Sequence, residues 1–343
     1  MRRVWIGFLM MLLVGSIYGC GSEEVEEVVV SEVEEETIKI GMCFDSFVTE
    51  RWERDRDAFI AKCTDDLGAE VNVQCANGDV DVQLEQIDYL INQKVDVLVI
   101  VAVQSEGISD AVKRAKSAGI EVIAYDRMIY DANVDLYITF DNEEVGKLMA
   151  KAIVETTEDD AKILMVSGPM EDSNVTMINE GFLSIIERTE REVIGIEYAT
   201  GWTAEYGFEY VNEYLEGNQE FDAVMCGNDD IASQVIMALS ERRLAGDVVV
   251  VGQDADLGAC QRIVEGTQIM TVYKPIETMA QMAAVYAVML ANGEPLGATA
   301  TISDGSNDVP YVGLEPTAVT VDNIQIIVED GYHMEEDIYL NVE

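Results

Sequence analysis

Residues 96–125 read DVLVIVAVQSEGISDAVKRAKSAGIEVIAY, and this stretch decides the fold. Its ends, 96–102 (DVLVIVA) and 121–125 (EVIAY), are short β-branched runs in which polar and apolar residues do not alternate. That is the signature of parallel strands covered on both faces. Between them, 106–118 is an amphipathic, helix-like segment. A strand, a helix and a second such strand form the repeating unit of a doubly wound α/β sheet. Working outward, further strand-like runs fall at 38–44, 71–75 and 137–140, then at 162–166, 193–198, 222–226, 247–252 and 269–273. Helix-like segments separate them, at 50–66, 81–94, 142–155, 203–216, 229–241 and 275–292. In the first of these Trp52, Phe59, Ile60 and Cys63 share one stripe. Ten strands divide into two sheets of five.

Composition narrows the function. The 343 residues carry 66 Asp and Glu against 21 Lys and Arg, a formal charge of −45, which excludes binding to a phosphate backbone. One histidine, His333, cannot build a His-rich metal site. A hydrophobic share of 49 % with five prolines excludes a disordered chain. No CxxC occurs; Cys43 and Cys226 lie in apolar runs and read as small core residues. A Cys63–Cys75 pair is conceivable. Five cysteines remain after Cys20, so at least one thiol is unpaired.

The chain starts MRRVWIGFLMMLLVGSIYGCGS: two arginines, a short apolar run, then Gly19–Cys20. We read 1–19 as a signal peptide. Ile-Tyr-Gly-Cys resembles a lipobox, with Cys20 as the lipidated residue; an ordinary signal with a chance cysteine is the alternative. Residues 20–37 hold eight glutamates and no Lys or Arg, and read as a self-repelling tether. The expected location is extracytoplasmic, lipid-anchored to the cell membrane.

The dinucleotide loop, P-loop, EF-hand loop and nucleophile elbow are all absent, so no cofactor and no enzyme is expected. In doubly wound sheets ligands bind beyond the carboxyl ends of the strands. The residues there are polar and aromatic: Asp45 and Arg51–Trp52, Asp126–Arg127, Asp141–Asn142, Glu171–Asn174, Gly201–Trp202, Asn228–Asp229, Gln253–Asp254, and Lys274. An indole packs on the C–H face of a pyranose, and Arg, Asp and Asn satisfy vicinal hydroxyls, so the set suits a neutral polyhydroxylated ligand. Plainer readings stand beside each residue. Trp52 sits on the apolar stripe of its helix, Asp126–Arg127 forms a strand-end ion pair, Asn228 caps the following helix, and Lys274 is solvated. Trp202, in a loop after Gly201, is hard to explain without a ligand.

These residues carry a resemblance. GMCFDSFVTERWERDRD (41–57), QCANGDVDVQLEQIDYLINQKVDVLVI (74–100), AYDRMIYDANVDLYITFDNEEVG (124–146), GQDADL (252–257) and GTQIMTVYKPI (266–276) are similar to the pentose and hexose group of substrate-binding proteins of ABC transporters, to its D-xylose-binding members above all. The resemblance runs from about Lys39 to His333. It implies two α/β lobes of the type I periplasmic binding protein fold, joined by a three-crossing hinge. The first lobe would be 38–140 plus about 275–305, and the second 141–274 plus about 306–343. It further implies Trp52 and Trp202 stacking on opposite sugar faces, Arg51, Asp126 and Arg127 as hydroxyl partners from the first lobe, Asn174, Asn228 and Asp254 from the second, and Lys274 near the crossing. The expected partners are D-xylose or a related monosaccharide and an ABC transporter permease, with the protein a monomer. Presentation of the closed form to a histidine kinase or chemoreceptor is the alternative role. A sugar-responsive repressor would need a basic helix-turn-helix before residue 38, where the signal-like and polyglutamate segments stand.

Overall fold

The computed structural model describes residues 37–49 and 51–342. The expected signal peptide, Cys20 and all of the tether but Thr37 lie outside the described residues. Two parallel-dominated sheets organise the rest. The first half runs β1 (Lys39–Phe44), α1 (Arg51–Ala61, continued by a π-helical turn at Lys62–Asp66), β2 (Glu70–Cys75), α2 (Val80–Gln93), β3 (Val97–Ile100), α3 (Ser109–Ser117), β4 (Glu121–Tyr125) and β5 (Leu136–Phe140). The second runs α4 (Asn142–Thr156), β6 (Lys162–Ser167), α5 (Ser173–Ile186), β7 (Glu192–Tyr198), α6 (Glu205–Glu216), β8 (Ala223–Cys226), α7 (Asp229–Glu241), β9 (Val249–Gln253), α8 (Leu257–Glu265) and β10 (Met270–Tyr273). The chain closes with α9 (Ile276–Ala291), β11 (Ala300–Ser303), β12 (Asp308–Leu314), β13 (Thr317–Thr320), α10 (Gln325–Glu329) and α11 (Glu335–Ile338).

All ten expected strands form. In space they are ordered β2-β1-β3-β4-β5 in one sheet and β7-β6-β8-β9-β10 in the other, the same doubly wound order twice. The apolar runs are the reason: all four residues of β3 are fully buried, with apolar clusters on both faces of its sheet. The second sheet is likewise covered on both sides. The sheets have seven and six strands, not five each. β12 joins β5 in parallel with β11 antiparallel beside it, and β13 pairs antiparallel with β10. These three strands escape a sequence reading because β11 is largely exposed and β12 contains Pro310 and Gly313, which argue against a strand.

The chain passes between the sheets three times: after β5, after β10, and between β12 and β13. This corrects one expected boundary. Residues 308–314, assigned above to the second lobe, belong to the first sheet through β12–β5 pairing, so the third crossing lies at 315–316 and not near 305. α4 and α5 meet backbone to backbone in the second lobe. A Cβ on Gly146 would stand 1.9 Å from the Ile178 carbonyl oxygen, and one on Gly181 2.0 Å from that of Glu143.

Candidate functional site

The order β2-β1-β3 places a topological switch point between β1 and β3, and β7-β6-β8 places its counterpart between β6 and β8. The carboxyl ends of both sheets deliver their residues to one small cavity. All nine residues singled out as ligand contacts line it: Arg51, Trp52, Asp126, Arg127, Asn174, Trp202, Asn228, Asp254 and Lys274.

The first lobe sets its groups by charge. Arg51, 3 % exposed, reaches Asp126 at 2.9 Å with Nη2 and Asp55, one helical turn away, at 3.3 Å with Nε. The Tyr125 hydroxyl donates to the far oxygen of Asp55. Burial pushes the Asp55 carboxyl up to about 6, against the pull of Arg51 and the Tyr125 hydrogen bond. Burial also works to raise Asp126, but Arg51, Lys274 and Arg127 together hold it below the usual carboxylate range. The plainer reading of Asp126–Arg127 as an ion pair does not hold. Asp126 sits at a φ of 66° and turns to Arg51, whereas Arg127 binds Asp45 and Asp172, each at 2.7 Å.

The second lobe sets its groups by backbone. Asp172 caps α5, accepting from the Asn174 amide at 3.0 Å, and also accepts from Trp202 Nε1 at 3.2 Å. Asn228 caps α7 through the Ile231 amide at 2.9 Å while lining the cavity, so the plain reading and the site reading both hold. Lys274 is not solvated: it is 5 % exposed, 2.6 Å from Asp254 Oδ1 and 3.0 Å from Gln253 Oε1. The lobes touch around the cavity. Asn174 Nδ2 donates to Asp126 Oδ1 at 2.7 Å, Arg127 reaches Asp172, and the Met128 amide donates to Ser173 Oγ at 3.1 Å. Asn174 Oδ1 is buried with no hydrogen-bond partner, whereas Arg127 Nε and Asp254 Oδ1 are held by ion pairs, to Asp172 and to Lys274. An unpartnered buried acceptor such as Asn174 Oδ1 calls for an explanation, and a hydroxyl of a bound partner is one that the cavity allows.

The two indoles differ. Trp52 is 4 % exposed, belongs to the first lobe's core, meets Phe44 edge-on at 6.2 Å, and has the Arg51 guanidinium 4.3 Å from its ring centre. Trp202 is half-buried against the second lobe's core and lies over Gly168, where a Cβ would come within 2.4 Å of the ring. Trp202 is therefore also a packing residue, which spacing alone does not reveal.

Thr49, Asn142, Asp172, Ile178 and Gln253 complete the lining. Asp172 carries a recognisable signal, an Asp opening an apolar helix. Gln253 and Asn142 belong to the polar strand ends already singled out, whereas Thr49 and Ile178 carry no signal. Asp55, behind Arg51, is legible only as an i,i+4 partner. All five cysteines among the described residues are free, so Cys63 and Cys75 are not paired. Among the described residues no group of His, Cys, Asp and Glu is arranged to hold a metal ion.

Residues 40–295 match the family model described as the periplasmic binding protein domain. The chain is 42 % identical to the D-xylose-binding periplasmic protein of Escherichia coli K12, covering 88 % of this chain and 92 % of that one. It is 40 % identical to the protein of the same name from Haemophilus influenzae, covering 90 % and 94 %. Among solved structures, an ABC transporter solute-binding protein from Clostridium phytofermentans with bound β-D-glucose matches with a TM-score of 0.78 at 25 % identity, covering 88 % of this chain and 99 % of that one. These relatives are substrate-binding proteins and not enzymes, and with its two α/β lobes this chain belongs to the family of periplasmic sugar-binding proteins of ABC transporters.

Proposed function

We propose that the protein captures D-xylose, or a closely related monosaccharide, between its two lobes and presents it to the permease of an ABC transporter. One observation carries the choice of a neutral sugar. The cavity is lined by three cations (Arg51, Arg127 and Lys274) and three carboxylates (Asp126, Asp172 and Asp254), beside two indoles. Asp45 and Asp55 stand behind the cations, so no positive excess awaits an anion. Charges paired in this way offer donors and acceptors in several directions, which suits a ring bearing hydroxyls on successive carbons. The D-xylose-binding names of the two relatives above 40 % and at 40 % identity favour a pentose.

A thermal-shift panel of pentoses, hexoses, amino acids and phosphate tests this, because a ligand that binds only the folded form raises the melting temperature by mass action. D-Xylose should give the largest shift. Silence toward every sugar with a shift from an amino acid or phosphate would overturn the reading. Sugar-dependent capture of a permease supports transport; capture of a sensor kinase or chemoreceptor in its place would assign the signalling role. Membrane attachment through Cys20 belongs to the same proposal: Cys20→Ser should release the protein from the membrane fraction, and full retention would refute the anchor.

A further inference from the structure

This inference rests on the sugar-binding reading and concerns a residue outside the cavity lining. Asp254 stands at a φ of 99° and Ala255 at 56°. Two successive non-glycine residues at positive φ persist only where their surroundings enforce it. On the carbonyl side the turn is held by the Tyr332 hydroxyl, which donates to the Asp254 carbonyl at 3.3 Å, and by His333 Nε2, 2.8 Å from the Ala255 carbonyl; on the amide side the enforcing group is Asp229, 1 % exposed at the start of α7. Its Oδ2 accepts from the Asp256 amide at 3.2 Å and from the Thr271 hydroxyl at 2.7 Å. Thr271 Oγ1 in turn accepts from the Ala255 amide at 3.1 Å. Both amides that follow Asp254 are thus tied to one carboxylate, directly or through a single hydroxyl. Oδ1 is held by Gln268 Nε2 at 2.8 Å, and Gln268 Oε1 accepts from Arg262 at 3.0 Å. The carboxylate cannot slide toward the strand beneath it, and that strand has no room to thicken: a Cβ on Gly252 would lie 2.2 Å from Oδ1. Burial raises the Asp229 carboxyl to about 7, against Arg262, Thr271 and Gln268, so the group sits at a cost that a plain core position would avoid.

We infer that Asp229 is a positioning residue for sugar binding: acting through Thr271, it holds the strained 254–256 turn and so aims the Asp254 carboxylate at Lys274 and at the ligand.

The test uses the full chain, D-xylose as probe, and titration calorimetry at pH 8. Thr271→Val removes the linking hydroxyl and nearly keeps the shape. Asp229→Asn keeps the shape and places an NH₂ where a donor already points. Each should weaken xylose binding at least tenfold, and each should cost less than twofold when added to Asp254→Asn, because the path runs through that side chain. In parallel, hydrogen exchange of the peptide spanning 254–257 should quicken at least tenfold in Thr271→Val, with or without sugar. A merely structural role would lower the unfolding midpoint and leave the affinity of the folded protein unchanged. Wild-type affinity in Thr271→Val, or an undiminished loss on the Asp254→Asn background, overturns the inference. If Asp229→Asn does not fold, Thr271→Val decides alone. If the wild type binds no monosaccharide, the sugar reading has failed, and hydrogen exchange still tests whether Asp229 and Thr271 hold the turn.

Discussion

The two lobes reach the same cavity by different physics. In the first, Arg51 and Arg127 are held almost wholly by opposite charges: Asp55 and Asp126 around one, Asp45 and Asp172 around the other. In the second, Asp172 and Asn228 are fixed by capping α5 and α7, Trp202 by a short turn after β7, and Asp254 by a strained backbone. A buried charge network fails abruptly, because removing one member strands the others without solvent. A cap or a turn fails by degrees, because the helix or strand beneath it survives. The first lobe should therefore lose folding and binding together, and the second should lose binding with a smaller loss of folding.

The sharpest way to break that contrast is Arg51→Ala. It leaves Asp55 and Asp126 buried without their shared cation and should cost on the order of 3–5 kcal/mol in the urea-unfolding free energy, with xylose binding abolished. A stable, binding-competent variant would end the charge account of the first lobe. The indoles come next. Trp52→Ala should cost about 3–5 kcal/mol of stability, since a fully packed ring is lost. Trp202→Ala should cost about 1–3 kcal/mol of xylose affinity, on the scale of base–aromatic stacking, together with a smaller loss of stability from its packing over Gly168. Equal stability losses would erase the difference between lobes. Asn228→Ala should remove a cap worth about 1 kcal/mol in the apo protein and weaken binding further; an unchanged unfolding midpoint would show that α7 does not need it.

The smallest effect is a pH dependence. The unfolded Asp55 carboxyl ionises near 3.8 and the folded one near about 6. Protonation therefore favours the fold, and stability from this group is complete below about pH 4 and lost as pH rises to about 6. Asp126, held low by its cations, works in the opposite sense and loses stability as pH falls below its ordinary range. The difference between wild type and Asp55→Asn in urea midpoint should slope between pH 4 and 6 and be flat above; a flat difference throughout would show that Asp55 is ionised across that window.

What the sequence made legible followed from burial. The β3 and β4 runs declare themselves because strands covered on both faces cannot afford polar residues. β11 and β12 were silent because one is exposed at a sheet edge and the other carries Pro310, and with them went the place of the third crossing. At the site, Trp202 and Arg51–Trp52 stood out because indoles and cations are scarce in this chain. Asp55 did not, and Asp172 and Asp229, though they lie in the polar strand-end segments, gave no sign of their burial, because a chain with 66 acidic residues offers no way to tell a buried carboxylate from a solvated one without knowing what surrounds it. The strained turn at Asp254–Ala255 is a backbone property and has no residue signature, since neither residue is glycine.

The bonds between the lobes reach beyond affinity to timing. Asn174 to Asp126, Arg127 to Asp172 and Met128 to Ser173 all join protein to protein and need no sugar. Each one enlarges the share of empty molecules that are shut at any instant. A shut, empty molecule must reopen before it can load, so these bonds slow capture; a shut, loaded one must break them before it can let go, so they lengthen residence. A docking partner that senses only closure also meets a background of unloaded molecules. Cutting one bond, as in Ser173→Ala, should therefore speed both loading and escape and quieten that background.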